Sequence, residues 1–441
     1  MSARLAEGAT GTELAGRALR YAPRTIAVIS PGDRFEDFFD KIGVSLDTFR
    51  DEFTGGWLFN YIEALRLVGV RTMLLFMSAR VEGTIHFTHV ESGVSVWVLP
   101  SPRLHKRVRN AQRRFFPDSQ ALVAAASYLA TPLWGVTRVI REERCDAILC
   151  QEYESARFDL CVLLGRLVGL PVFATYQGAN ETRSAIEGPI RQLSVRRCAG
   201  LVIPSRDERA RVQSTYDVPS RKIGSIPNPV DVVACPPSQR HAARTELGIG
   251  RDTRVVAWHG RVQIHKKGLD VLLDAWDRIC LERPGADILL LLVGSGRDAD
   301  ALRHRVDSNH RVRWIDRYVF ERRQLWSYLS AADLYTIPSR YEGFAVAVLE
   351  GMACGLPVVA SDAPGVADIF PRAEEDGGIV VPREDATALA AALLRLLEDP
   401  DLAQRLGAAG KRRMEEEFSI QVIGSRLRRF LFPGSNVDEQ S

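Results

Sequence analysis

Apolar runs of strand length alternate with amphipathic stretches along almost the whole chain. In the first half the runs are TIAVIS (25–30), RTMLLFMS (71–78), GVSVWVL (93–99), DAILCQE (146–152), PVFATY (171–176) and AGLVIP (199–204). The second half continues with RVVAWHG (254–260), DILLLLVG (287–294), HRVRWI (310–315), DLYTIP (333–338), PVVAS (357–361) and GGIVVP (377–382). Short continuous runs rich in β-branched residues, separated by helical patterns, imply parallel strands covered on both faces. The two series are separated by PNPVDVVACPPSQRH (227–241), which is proline-rich and aperiodic. They predict two α/β, Rossmann-like doubly wound domains. We place a tail at 1–22, a first domain at 23–230, a linker at 231–250, a second domain at 251–416, a helix at 417–433 and a tail at 434–441. That helix contains FSIQVIGSRLRRFLF (418–432), with Ile420, Val422, Ile423, Leu427, Phe430 and Leu431 as its apolar members. Ligands of open α/β sheets bind beyond the carboxyl ends of the strands, so two facing domains predict a shared cleft.

Length and composition narrow the class. A chain of 441 residues with 46% apolar residues has ample material for two cores. A net charge of +3 gives no argument for nucleic acid. Seven scattered cysteines without a CxxC pair fit neither a disulfide framework nor a zinc site, so a reducing, cytoplasmic setting is expected. The amino terminus lacks a secretory pattern. The longest uncharged stretch, 119–137, contains Pro132 and many small residues, and predicts a buried or surface-lying helix rather than a bilayer span.

The segment SRYEGFAVAVLEGMACGLPVVASD, beginning at Ser339, is the most informative. A polar loop leads into a short helix and then a β-branched strand. Seven residues separate Glu342 from Glu350. A helix start at Gly343, Phe344, Ala345 and Val346 suits phosphate, and Glu350 leans back toward a ligand held there. A carboxylate accepts hydrogen bonds from a vicinal diol, and ribose offers one. Arg261 follows the first strand of the second domain, and Lys267 precedes Gly268-Leu269-Asp270, where a helix begins. A planar guanidinium and a mobile ammonium are the pair expected around a pyrophosphate. Asp298-Ala-Asp300 reads as the acidic first turn of a helix rather than a metal site, and no metal or cofactor is expected.

Together these residues resemble the retaining glycosyltransferases of family 4, which have the two-domain GT-B fold. The Glu342–x7–Glu350 spacing and MACGLPVVASD carry the resemblance, and the flanking segments extend it over most of the chain. It implies transfer of a sugar from a UDP- or GDP-linked donor to a glycan or lipid-linked acceptor, in cell-surface polysaccharide or glycolipid assembly. Glu342, Arg261 and Lys267 become the catalytic candidates. Gly55 and Gly56 join the donor-binding set as a diphosphate-contacting loop, as do Tyr318 and Val319, near the backbone that reads the base. Trp57 and Gln177 fall on the acceptor side. The family usually has histidine where this chain has Gln177, and an amide cannot serve as a base. The terminal helix is expected to cross back onto the first domain. The basic run RLHKRVRNAQRRFF (103–116) suits an anionic membrane surface through Arg103, Lys106, Arg107, Arg109, Arg113 and Arg114, giving a peripheral protein on the inner face. Two rival readings are a nucleotide-sugar epimerase on the same fold and a non-catalytic sugar-binding or activating subunit.

Overall fold

The structure, a computed structural model, describes residues 24–54, 56–178, 187–231, 240–307 and 309–434. Two parallel sheets form its two halves. The first contains β1 (Arg24–Ile29), β2 (Val70–Ser78), β3 (Ile85–Thr88), β4 (Ser95–Pro100), β5 (Ala147–Cys150), β6 (Val172–Thr175), β7 (Gly200–Val202) and β8 (Ile223–Gly224). Their order is β3-β4-β2-β1-β5-β6-β7-β8, with β3 alone antiparallel. The second contains β9 (Arg254–His259), β10 (Ile288–Val293), β11 (Val312–Ile315), β12 (Leu334–Ile337), β13 (Val358–Ser361) and β14 (Gly378–Val381), in the order β11-β10-β9-β12-β13-β14.

The reason for parallel pairing is visible in β1. Ile26 and Val28 enter one core and Ala27 and Ile29 the other, all fully buried. The chain winds outward from β1 through β2, then returns to β5 on the opposite side. β9 and β12 form the equivalent reversal in the second sheet. These reversal points open the crevices in which the candidate residues sit.

All twelve expected strands form, and two more appear. β3 pairs antiparallel at the sheet edge, with no buried face to give it a periodic signal. β8 is only two residues long. The stretch assigned to the linker, 231–250, contains a helix, Arg240–Glu246. It is clamped to the second domain by Arg240 and Arg244, whose guanidinium groups both reach Asp333. The helix Ile420–Leu431 crosses back to the first domain, as expected. Ile423, Leu427 and Leu431 enter that core, and a Cβ on Gly424 would lie 2.2 Å from the Ala64 carbonyl oxygen. The two interdomain passages meet where Val230 bridges to Ser419.

Candidate active site

The second-domain wall is built from loops that follow β9 and β12. The chain leaves β9 at His259, passes Gly260 and Arg261, and makes a short helix, Ile264–Lys267. Gly268 then adopts a left-handed φ of 63°. A Cβ there would lie 2.0 Å from the Pro338 carbonyl oxygen, so only glycine lets this loop seat against the end of β12. That seating brings Lys267 to Glu342. The Lys267 Nζ lies 2.6 and 2.9 Å from the two carboxylate oxygens, and the Ser339 hydroxyl donates to Glu342 Oε1 at 2.7 Å. Lys266 lies over the Tyr341 ring. Burial, and then the charge of Lys267, hold its ammonium below the usual lysine range. Arg261 is exposed and makes no hydrogen bond among the described residues.

Glu350 projects from the helix Val346–Ala353, and its Oε2 lies 2.8 Å from His259 Nε2. The start of this helix differs from the expected row of free amides. Ala345 N–H donates to the Gly365 carbonyl, and Val346 N–H donates to the Phe344 carbonyl. Those two donors are engaged within the protein rather than offered to a ligand.

The first-domain wall carries neutral hydrogen-bonding groups. The Gln177 side chain exchanges hydrogen bonds with Asn228 at 3.2 and 3.4 Å and donates to Thr175 Oγ1 at 3.0 Å. The Tyr61 hydroxyl donates to Asn228 Oδ1 at 2.9 Å. The Gln177 backbone N–H donates to Glu152. Gly56 begins the helix Trp57–Leu67 with a φ of 89°, a conformation suited to glycine. Gly55 and the side chain of Trp57 lie outside the described residues. Arg322 of the second domain reaches across to Asn60 and to Asp231. The Tyr176 and Tyr341 hydroxyls bond to each other across the cleft. Two residues further on in each chain segment, Gly178 and Gly343 meet backbone to backbone.

Two cavities border this junction. One, of about 260 Å³, is lined by Gly56, Gln177, Arg261, Tyr318, Val319, Phe344, Val346 and Glu350 of the expected residues, together with His259 and Trp326. The other, of about 800 Å³, lies on the first domain and includes Lys41, Arg109, Arg113 and Glu152 in its lining. Gln177 and Arg261 line both. Lys267, Glu342, Gly343 and Ala345 line neither; they form the tightly packed layer beside the junction. Sequence reasoning missed the roles of His259, Asn60, Asn228, Tyr61 and Arg322. The position of His259, at the carboxyl end of β9 beside Gly260-Arg261, was the available signal. The other four meet only through the folded chain.

Elsewhere the structure revises three expectations. In the helix Arg103–Phe115, two of the six basic residues face inward: Lys106 donates to the Ala79 carbonyl at 2.8 Å, and Arg109 pairs with Asp33 and Asp37. Arg103, Arg107, Arg113 and Arg114 remain outward. Cys354 is disulfide-bonded, against a reading without disulfides, whereas Cys145, Cys150, Cys161, Cys198 and Cys280 are free thiols. The uncharged stretch divides into two helices, Gln120–Tyr128 and Leu133–Glu142, and no helix among the described residues is long and apolar enough to cross a membrane. Asp298 accepts the Ile264 N–H and Asp300 pairs with Arg303, so both have local structural partners.

Known proteins share this fold. HepE of Anabaena, solved in complex with UDP, superposes with a TM-score of 0.68 at 16% identity, covering 92% of this chain and 99% of that one. A sucrose-phosphate synthase from Thermosynechococcus elongatus superposes with a TM-score of 0.66 at 20% identity, covering 93% and 99%. Both likenesses are of the GT-B fold. In sequence, a GDP-mannose-dependent monoacylated alpha-(1-6)-phosphatidylinositol monomannoside mannosyltransferase of Corynebacterium glutamicum is 34% identical over 217 residues, 47% of this chain and 55% of that protein. A D-inositol 3-phosphate glycosyltransferase of Jonesia denitrificans is 31% identical over 252 residues, 55% of this chain and 58% of that protein. The chain spans about half the length of the curated relatives it matches. The family described as Glycosyltransferase Family 4 matches residues 88–233, and that described as Glycosyl transferases group 1 matches residues 253–399. With both domains matched and the two sheets arranged as GT-B, the chain belongs to the group 1 glycosyltransferases of family 4.

Proposed function

We propose that the protein transfers a hexose from a nucleoside-diphosphate sugar to an acceptor hydroxyl, with retention of anomeric configuration. The observation that carries this reading is the junction of two cavities at Arg261 and Gln177. The smaller cavity takes the nucleotide, with Glu350 toward the ribose and Tyr318 and Val319 toward the base. Arg261 faces the diphosphate, and with Lys267, in the packed layer beside the junction, offsets the charge that develops as the glycosidic bond breaks. The larger cavity takes the acceptor.

Within this reading the geometry favours one role for Glu342. A carboxylate held by an ammonium at 2.6 Å and a serine hydroxyl at 2.7 Å is poorly placed to become a free nucleophile. It orients Lys267 and accepts a hydroxyl of the donor sugar. Gln177 orients the acceptor hydroxyl, and the leaving phosphate takes its proton. The reaction needs no metal or cofactor.

The acceptor in this proposal is a lipid-linked glycan or polyol, reached from an anionic, cytoplasmic membrane face. The outer surface of the helix Arg103–Phe115 supports this, since Leu104, Phe115 and Phe116 are 55%, 63% and 56% exposed beside four outward arginines. Arg113 also lines the larger cavity, which supports an acceptor entrance beside this surface. The test is a screen of UDP- and GDP-linked hexoses for nucleotide release, with and without EDTA. Release from one donor, unchanged by EDTA and accelerated by a phosphoinositide or lipid-linked glycan, is the expected result. Sugar epimerisation without release, or activity restored only by added manganese, would overturn the proposal.

A further inference from the structure

We infer that His259 is a positioning residue that orients Glu350 for the ribose diol of the nucleotide donor, an inference that rests on the donor-site reading above. The two side chains come from different elements, the end of β9 and the helix Val346–Ala353. His259 Nε2 stands 2.8 Å from Glu350 Oε2, and both residues line the 260 Å³ cavity.

The histidine packs its ring against Tyr335, with centroids 5.4 Å apart, a contact that any aromatic ring of this size would make. It is 9% exposed at the end of a strand whose preceding residues, Val255 to Trp258, are buried and apolar. Its Nδ1 is buried and has no hydrogen-bond partner among the described residues, so no polar group of the core holds the ring. A buried imidazole with one nitrogen unsatisfied costs stability relative to an apolar side chain. The residue is therefore explained by what its other nitrogen does. Because the facing carboxylate only accepts, Nε2 carries the proton and donates.

Glu350 in turn has no other side-chain partner among the described residues. Its backbone is already fixed. A Cβ on Gly351 would lie 2.8 Å from the Tyr335 ring, so the helix sits directly on β12 at this point. What remains free is the glutamate side chain, which has three rotatable bonds and borders an open cleft. One hydrogen bond from His259 removes most of that freedom and leaves Oε1, and one lone pair of Oε2, turned to a ligand. Those are the two acceptor positions that a vicinal diol requires. Ordering the carboxylate before the ligand arrives favours affinity by reducing the entropy lost on binding.

The readout is discrimination between a ribonucleotide and its 2′,3′-dideoxy counterpart, measured as the ratio of their dissociation constants by calorimetry. UDP, GDP and their dideoxy analogues are the probes, with melting curves recorded for each variant. The wild-type ratio should exceed about tenfold, the effect of a hydrogen bond to a charged group. Glu350→Gln should lower it several-fold. His259→Leu should lower it to a similar extent, and the double variant should lose little more. His259→Gln, whose amide nitrogen has similar reach, should hold the ratio within about threefold. A His259→Leu variant that keeps the wild-type ratio while Glu350→Gln loses it overturns the role of His259 alone. Absence of discrimination in the wild type would sink the ribose reading of Glu350 as well. If His259→Leu does not fold, His259→Gln decides: a preserved ratio supports the inference, and a lost one overturns it.

Discussion

Gly343→Ala adds a single methyl group at a point where the backbones of the two domains touch. The new Cβ would lie 2.5 Å from Gly178 Cα and 2.6 Å from its nitrogen, against 3.4–4 Å for ordinary contact. Relieving that overlap needs about 1 Å of separation between the walls. Gly343 does not occupy the left-handed region, so alanine costs nothing there in backbone strain. Gly178, at a φ of 87°, would make a less clean test. Each domain has its own pair of cores, one on each face of its sheet, so the methyl group should displace the domains rather than unfold either. The Tyr176–Tyr341 hydrogen bond lies on the same strip and should weaken with it. Arg261, Lys267 and Glu350 all stay on the second domain, so donor affinity should change less than about threefold. Misplacing donor and acceptor by 1 Å should lower turnover by about a hundredfold. The assay combines turnover at saturating donor, donor affinity by calorimetry and the melting temperature. Turnover within threefold of wild type would mean that this contact does not set the distance between the walls. A large drop in melting temperature at unchanged turnover would refute the claim that the cores stand apart.

Lys267→Ala should cost on the order of 2–4 kcal/mol of transition-state stabilisation, and Lys266→Ala much less, as read from kcat/KM. Greater sensitivity at Lys266 would shift the diphosphate contact by one residue. Glu350→Gln should mainly weaken donor affinity, whereas Glu342→Gln should lower turnover more than affinity; the opposite split, measured by calorimetry beside kinetics, would exchange their roles. Phe115→Ser with Phe116→Ser should reduce sedimentation with vesicles containing phosphatidylserine while leaving nucleotide affinity unchanged, and undiminished vesicle binding would remove this helix from the membrane contact.

The architecture was legible because parallel strands buried on both faces leave continuous apolar runs in the sequence. β3 and β8 left no such run, one being an exposed edge and the other two residues long. The local site motifs were legible for a related reason: Gly268 and the Glu342–Glu350 segment are each set by contacts within one or two loops. The partners of those residues were not. The Lys267–Glu342 pair joins positions 75 residues apart, and His259–Glu350 joins positions 91 apart. Sequence spacing carries no trace of either pairing. The basic helix shows the opposite failure. Its charge density was plain, but only the fold shows that Lys106 turns to a backbone carbonyl and Arg109 to two aspartates, which leaves a narrower outward face.

The two walls of the cleft differ in kind, and the difference bears on where protons go. The second-domain wall holds the charges: Arg261, Lys267 with Glu342, and Glu350 with His259. The Gly268 position admits no side chain without a clash against Pro338, and the Lys267–Glu342 and His259–Glu350 pairs hold one another before a ligand binds, whereas Arg261 is exposed. The first-domain wall at the junction presents Gln177, Asn228 and Tyr61, a neutral network whose members restrain one another. An amide orients a hydroxyl but does not take its proton. Glu152, a carboxylate on that wall, already accepts the backbone N–H groups of Gln177 and Glu154. Under the proposed function, and with Gln177, Asn228 and Tyr61 as the groups described at the junction, the acceptor proton goes to the oxygen on which negative charge develops, the departing phosphate. That oxygen lies on the same face of the sugar as the incoming hydroxyl only when configuration is retained. Under the proposed function, the neutral groups at the junction and the charges opposite them support the same stereochemical course.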